Sequence, residues 1–301
     1  MSTQAEVRAA ALAQEPMREA GPRSGFASGT LQSIRDIWAH RELLDLLIRR
    51  ELKARYKDST LGFFWSLMRP LTMLLIYYVA IGKFLGAERS IPEFAIYVFT
   101  GLTAWQLFSE VVASGTSSIV SNSGLIKKVY LPREVFPLST TGSALFNFAI
   151  QLGILVLATI VLGAFRLDSR LLYLPLSFAV LLTWGLALAL LLSAVNVYLR
   201  DVQYLVEISL MVLMWASPIV YSWAQVSNAV GSSWLADLYL ANPTTLAVLG
   251  FQRTFWSAGE NEPYPAHLAS RLGIALLIGL VLLWLFQRVF TRLQSNFAQE
   301  L

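Results

Sequence analysis

The sequence predicts an all-α integral membrane protein with six transmembrane helices and an amphipathic helix ahead of them, and three observations predict it. Only 14% of the 301 residues are charged while 56% are hydrophobic, where an ordinary soluble domain carries about a quarter charged side chains. The apolar residues gather into long runs, and a helix crossing a hydrocarbon layer of ~30 Å needs about 20 such residues in a row. The basic residues flank those runs with a strong bias to one side, as the positive-inside rule requires.

Residues 1–32 are rich in Ala, Gly, Pro, Ser and charge. They lack the apolar core of about 7–15 residues that a cleavable signal peptide needs, so they are expected to form a flexible cytoplasmic tail. Residues 33–58 follow as one amphipathic helix, opened by Ser33 and the capping pattern Ser33-Ile34-Arg35-Asp36. Ile34, Ile37, Trp38, Leu44, Leu47, Ile48, Leu52 and Tyr56 recur at helical spacing. The opposite face carries Arg35, Arg41, Arg49, Arg50, Lys53, Arg55 and Lys57. Such a helix lies in the headgroup plane as a surface anchor or docks a partner subunit.

Six runs qualify as spans: 63–84, 94–113, 143–165, 171–199, 205–223 and 272–290. Pro70, Pro175 and Pro218 interrupt the first, fourth and fifth, which is tolerated in a membrane where neighbouring helices satisfy the freed backbone groups. With the N-terminus inside, 17 of the 23 lysines and arginines fall on inner segments and 6 on outer ones. Both termini are therefore expected in the cytoplasm.

Three connecting segments stand out. The inner loop 116–142 is too long for a simple turn. Within it Leu125, Ile126, Val129 and Tyr130 form an apolar edge beside Lys127 and Lys128, on a short helix bounded by Gly124 and Pro132 and followed by Arg133 and Glu134. That helix fits a groove in a soluble partner or makes a second interfacial anchor. The inner turn 196–201 ends in Arg200 and Asp201, which alone would be a solvated corner. The outer segment 222–271 is long enough to dip back into the membrane.

The chemistry that is missing narrows the function. There is no G-x-x-x-x-G-K-[ST] phosphate loop, so an ATP-driven process would need its ATP and magnesium bound by another subunit. Cysteine count is zero, which removes disulfides, thiol nucleophiles and thiolate metal sites. His40 and His267 fall on opposite sides of the membrane, and Asp36, Asp45, Asp58 and Asp201 form no pair that would hold metal-bound pyrophosphate. No catalytic residue, metal site or cofactor is expected in this chain, and no nucleic-acid partner. Arg69, Glu110 and Glu207 are ionisable groups near span ends, each of which costs about 2.5–3.5 kcal/mol at a bilayer centre. Among the many aromatics Trp65, Tyr77, Tyr97, Trp105, Phe108, Trp215 and Tyr221 are candidates to line a conduit; the alternative for each is belt or packing.

Arg50 to Trp65, Pro70, Leu125 to Leu138, Asn196 to Asp201, Ser217 to Tyr221 and Asn242-Pro243, taken together and in this order, resemble the permease subunit of the polysaccharide and O-antigen ABC exporters. The resemblance runs from about Ser33 to the end of the chain. It implies the type-2 ABC exporter fold and a homodimer partnered by two copies of a separate ABC ATPase. It also implies a bacterial inner-membrane location and a lipid-linked glycan cargo, with the arginine-rich and alanine-rich composition resembling actinobacterial galactan exporters. By the same resemblance 33–58 is similar to the family's interface helix, carrying Arg49, Arg50, Lys53, Arg55 and Tyr56. Leu125, Ile126, Lys127, Lys128, Val129, Tyr130, Arg133 and Glu134, with Arg200 and Asp201, are similar to its ATPase-coupling contacts. Segment 222–271 is similar to its periplasmic gate. A lipid or drug exporter of the same architecture, and a membrane-embedded transferase acting on polyprenyl-linked sugars, are the competing readings.

Overall fold

The computed structural model describes residues 26–56, 64–128, 131–231 and 234–301. Among them every regular element is helical. The chain opens with α1 (Phe26–Ala39) and α2 (Arg41–Tyr56), then α3 (Phe64–Tyr77), which widens into a π-turn at Tyr78–Phe84. Next come α4 (Phe94–Ser121), the single turn α5 (Ser123–Ile126), α6 (Val135–Val161), α7 (Tyr173–Tyr198) and α8 (Val202–Trp215). The short helices α9 (Trp223–Val230), α10 (Trp234–Leu240) and α11 (Pro243–Phe255) precede α12 (Leu268–Leu293) and a last turn, α13 (Phe297–Glu300).

Four of these helices are long and apolar enough to cross a membrane: α4, α6, α7 with its lead-in from Ser169, and α12 continued to Asn296. Two shorter apolar stretches, Pro70–Phe84 and Val202–Trp215, fall where the first and fifth of the six expected spans lie. Pro175 sits in the first turn of α7, where a missing N–H costs nothing, and Pro243 opens α11 behind an Asn242 cap whose Oδ1 accepts from the Thr244 N–H at 3.0 Å.

The amphipathic stretch expected as one helix from residue 33 folds instead as two helices that begin at Phe26. The break is at His40, whose N–H bifurcates between the Asp36 and Ile37 carbonyls while its Nδ1 lies 2.7 Å from the same Asp36 oxygen.

Helix α4 is the centre of the bundle. Its apolar window is 78% buried inside the chain, whereas that of α12 is only 22% buried. It packs on α7, α6 and α11, and α7 in turn on α12 and α11. Two glycines set the closest crossings: a Cβ on Gly115 would stand 2.4 Å from the Ala189 Cβ, and one on Gly250 would stand 1.9 Å from the Ser177 Oγ. Small residues at such points let membrane helices approach closely enough for dispersion to hold them. On the outside, Leu157, Ile160 and Val161 of α6 and Leu277, Val281 and Trp284 of α12 are exposed, an apolar surface that suits lipid and not water.

The bundle has two ends. One gathers the ends of α4, α7 and α12 with the start of α6, and is called here the 122–134 end. The other gathers 85–93, 162–172 and 256–267. Between them the expected re-entrant stretch 222–271 supplies α11, which is buried almost throughout against α4, α7 and α12.

Candidate functional site

The 122–134 end has a small core of its own, apart from the main one. It is built from Leu47, Ile119, Ile126, Val135, Phe136, Leu190, Ala194, Val197, Phe290 and Phe297. Helix α2 lies across the start of α6: Leu47 is buried, Ile48 fills the space above Gly142, and Glu51 accepts a 2.8 Å hydrogen bond from Ser139. Arg50 donates to the Asn122 side chain at the end of α4. Arg49 pairs with Asp45 at 2.7 Å on the exposed face, where Lys53 also lies. The side chains of Arg55 and Tyr56 are outside the described residues.

The loop differs from its sequence expectation in which side chains it offers. The helix bounded by Gly124 and Pro132 is a single turn, Ser123–Ile126. Ile126 is buried in the small core and Leu125 packs against it, so these two residues of the expected apolar edge face the chain's own interior. What projects outward is basic: Lys127 and Lys128 are exposed, as are Arg200 and Asp201 of the neighbouring turn. The inward turn has a physical cause, since Ile126 completes the small core with Leu47 of α2, Ile119 of α4 and Leu190 of α7. Val129 and Tyr130 are outside the described residues.

Glu134, expected at a partner contact, is instead 4% exposed. Its Oε1 accepts from Gln294 Nε2 at 3.5 Å, and the half of the cluster on α12 holds buried Arg288, whose Nε donates to Gln287 Oε1 at 2.8 Å. Burial pushes the Glu134 carboxyl above its ordinary range; the Gln294 hydrogen bond and the Arg288 charge pull it back only in part. Arg133 stacks its guanidinium over the Phe297 ring, 5.7 Å from the centroid.

At the other end, an irregular stretch follows α8. The carbonyls of Pro218 and Tyr221 both accept from the buried Tyr97 hydroxyl, at 2.9 and 2.7 Å, and Gln252 Nε2 donates to the Pro218 carbonyl at 2.7 Å. Thr245 donates to the Ala216 carbonyl at 3.1 Å, and the Ser217 and Thr244 hydroxyls meet at 3.1 Å. Non-helical backbone persists at membrane depth only where protein satisfies it in this way. Ser222 then caps α9 in a reciprocal box with Gln225. Nearby, Glu260 bridges Arg166 at 3.0 Å and Arg170, and Arg253 lies over the Tyr264 ring at 4.8 Å. Burial raises the Tyr264 phenol, against the lowering effect of the Arg253 and Arg170 charges.

Between the ends, α4 carries a polar face. Gln106, Ser109, Glu110, Ser114 and Ser117 share one side of the helix and stay half-buried. Glu110 Oε1 accepts from Asn147 Nδ2 of α6 at 2.6 Å. Helix α8 packs inward through Val206 and Leu210 and leaves Tyr204, Glu207, Ile208, Met211 and Trp215 exposed. The arrangement offers hydroxyl, amide and carboxylate groups along one side of a central helix, beside a helix with most of its circumference open.

The aromatic candidates separate accordingly. Tyr97, Trp105 and Phe108 are buried in the main core. Tyr77 is half-buried with its hydroxyl 4.0 Å from the Met214 sulfur, Tyr221 is half-buried and donates to the Trp215 carbonyl, and Trp215 is exposed. The Trp65 side chain is outside the described residues. Sequence reasoning passed over Phe297, Arg288 and Gln294; the signal available was an amphipathic end to the last apolar run, with two aromatics seven residues apart.

The profile described as ABC-2 type transporter matches residues 42–256, from α2 to the residue after α11. An O-antigen export system permease protein of Myxococcus xanthus is 30% identical over 273 residues, covering 90% of this chain and 100% of that protein. Another of Klebsiella pneumoniae is 26% identical over 260 residues, 86% of this chain and 95% of its own length. A polysialic acid transport protein of Escherichia coli is 24% identical over 184 residues, 59% of this chain and 69% of its own.

Proposed function

The chain belongs to the ABC-2 type transporter family, and from that premise we propose that it is the multi-pass permease subunit of an ATP-driven exporter of lipid-linked polysaccharide, of the O-antigen or galactan type. In this reading α3 and α8 are the first and fifth of six spans in a bacterial inner membrane, and the 122–134 end faces the cytoplasm with both termini. Two copies of the chain pair, and two copies of a separate ABC ATPase supply the ATP and magnesium chemistry for which this sequence has no phosphate loop. Helix α2 is the interface helix, and the stretch around 222–271 is the outer gate.

The observation that carries the reading is the 122–134 end itself. Lys127, Lys128, Arg200 and Asp201 project from loops that a dedicated small core holds rigid, which suits a surface that receives force. The cargo follows from relatives named for O-antigen export and polysialic acid transport, and the polar face of α4 offers groups that bond sugar hydroxyls.

The test is co-purification with an ABC ATPase from the native host. Binding should fall at least ~10-fold when Lys127→Glu and Lys128→Glu are combined, since reversed charge at a contact leaves like charges apposed. Retained binding would overturn the docking surface. A strain depleted of this chain should accumulate glycan lipid on the cytoplasmic side; accumulation of some other lipid instead would overturn the cargo.

A further inference from the structure

The two inner contacts of the previous section, loop 122–134 and turn 199–201, lie far apart in sequence, yet one residue packs on the first and on the helix end that carries the second. Phe297 is fully buried. Its ring takes the Arg133 guanidinium at 5.7 Å from the first contact and meets edge-on, at 6.2 Å, the ring of Tyr198, the last residue of α7, which leads directly into the second. It also packs perpendicular to Phe290 of α12 at 5.6 Å. Around this hub the Tyr198 hydroxyl donates to the Leu293 carbonyl at 2.8 Å and Gln294 reaches Glu134. Residues 290–301 thus touch loop 122–134 and the end of α7 from which the turn springs, and α12 continues from them to the opposite end of the bundle.

We propose that Phe297 is a positioning residue that makes loop 122–134, turn 199–201 and the end of α12 move as one rigid body. Packed interfaces of this kind transmit displacement because they have discrete arrangements and do not deform continuously. A push received at Lys127 and Lys128, or at Arg200 and Asp201, is then delivered to the same helix. The consequence for export rests on the function proposed above, but the mechanical link does not.

The cysteine-free chain permits a test of the link alone. Spin labels are placed through Lys128→Cys with Gln299→Cys, and through Arg200→Cys with Gln299→Cys, in the full chain reconstituted in nanodiscs. Both pairs should give narrow distance distributions. Phe297→Ala should broaden both, and Phe297→Leu, which keeps apolar volume and loses the ring contacts, should broaden them while preserving folded yield; Phe297→Tyr should restore them. Equal widths in all four chains would overturn the proposal, whatever becomes of the ATPase.

In the assembled transporter, Phe297→Leu should leave ATPase binding and hydrolysis intact while cargo moved per ATP falls about 3- to 10-fold, the scale of lost aromatic contacts, and Phe297→Tyr should recover it. Cargo per ATP unchanged by Phe297→Leu would overturn the coupling role. Failure of any ATPase to bind the unmodified chain would instead count against the proposed function and leave the label result standing.

Discussion

Glu134 shows how one buried carboxyl constrains a loop that otherwise carries exposed charge. Its neighbours Gln294 and Arg288 do not offset what burial costs the charged form, so the folded state holds the proton more tightly than the unfolded chain does. The sign follows: this group contributes stability below its unfolded pKa, and that contribution is lost as pH rises through the higher folded value. Glu134→Gln keeps an acceptor for Gln294 and removes the titration. Thermal unfolding of the purified chain from pH 4 to pH 8 should therefore flatten in the variant, with a midpoint at pH 8 equal to or above that of the parent; a lower midpoint there would show that the ionised form is the one the fold prefers.

Among the elements, the irregular stretch 216–222 depends most on its neighbours. Tyr97 alone serves two of its carbonyls, whereas Pro218 also has Gln252. Tyr97→Phe should leave the Tyr221 carbonyl buried without this donor, costing about 1–3 kcal/mol locally. Hydrogen exchange should accelerate across 216–222 and the start of α9 while α4 stays protected; unchanged exchange would mean the stretch holds without the phenol. This stretch also marks where reading the sequence reached its limit. Apolar runs located α4, α6, α7 and α12 because in a bilayer helix length and hydropathy are set by the same physics. They did not reveal α11, whose Thr244, Thr245 and Gln252 are too polar for a span yet are buried. Neither did they separate Tyr97, Trp105 and Phe108 from conduit surface, because ring type says nothing of which side of a helix is covered. The basic residues at 127, 128 and 200 were legible from charge placement. The inward turn of Ile126 and Glu134 was not, since it depends on distant parts of the sequence: on Leu47, Leu190 and Phe297 for the one and on Gln294 for the other.

For the molecule as a whole, the small core at the 122–134 end and the Glu260 bridge to Arg166 and Arg170 at the other end fix the two faces of the bundle. In the proposed arrangement of six spans with both termini inside, these faces lie on opposite sides of the membrane. Single cysteines at Lys128 and Leu167, both exposed in a chain with no others, should label from opposite sides, Lys128→Cys only after the cytoplasmic face is opened. Labelling of both from one side would require an odd number of crossings to be revised between α5 and the end of α6.

Helix lengths around the bundle are uneven. Helix α4 has 28 residues and α8 has 14, which at about 1.5 Å per residue is roughly 42 Å against 21 Å. A bilayer with a hydrocarbon layer of ~30 Å accommodates a short wall by thinning beside it. With α8 as the proposed fifth span, the membrane beside it is dimpled, and a headgroup travelling along that flank crosses less oil than one beside α4.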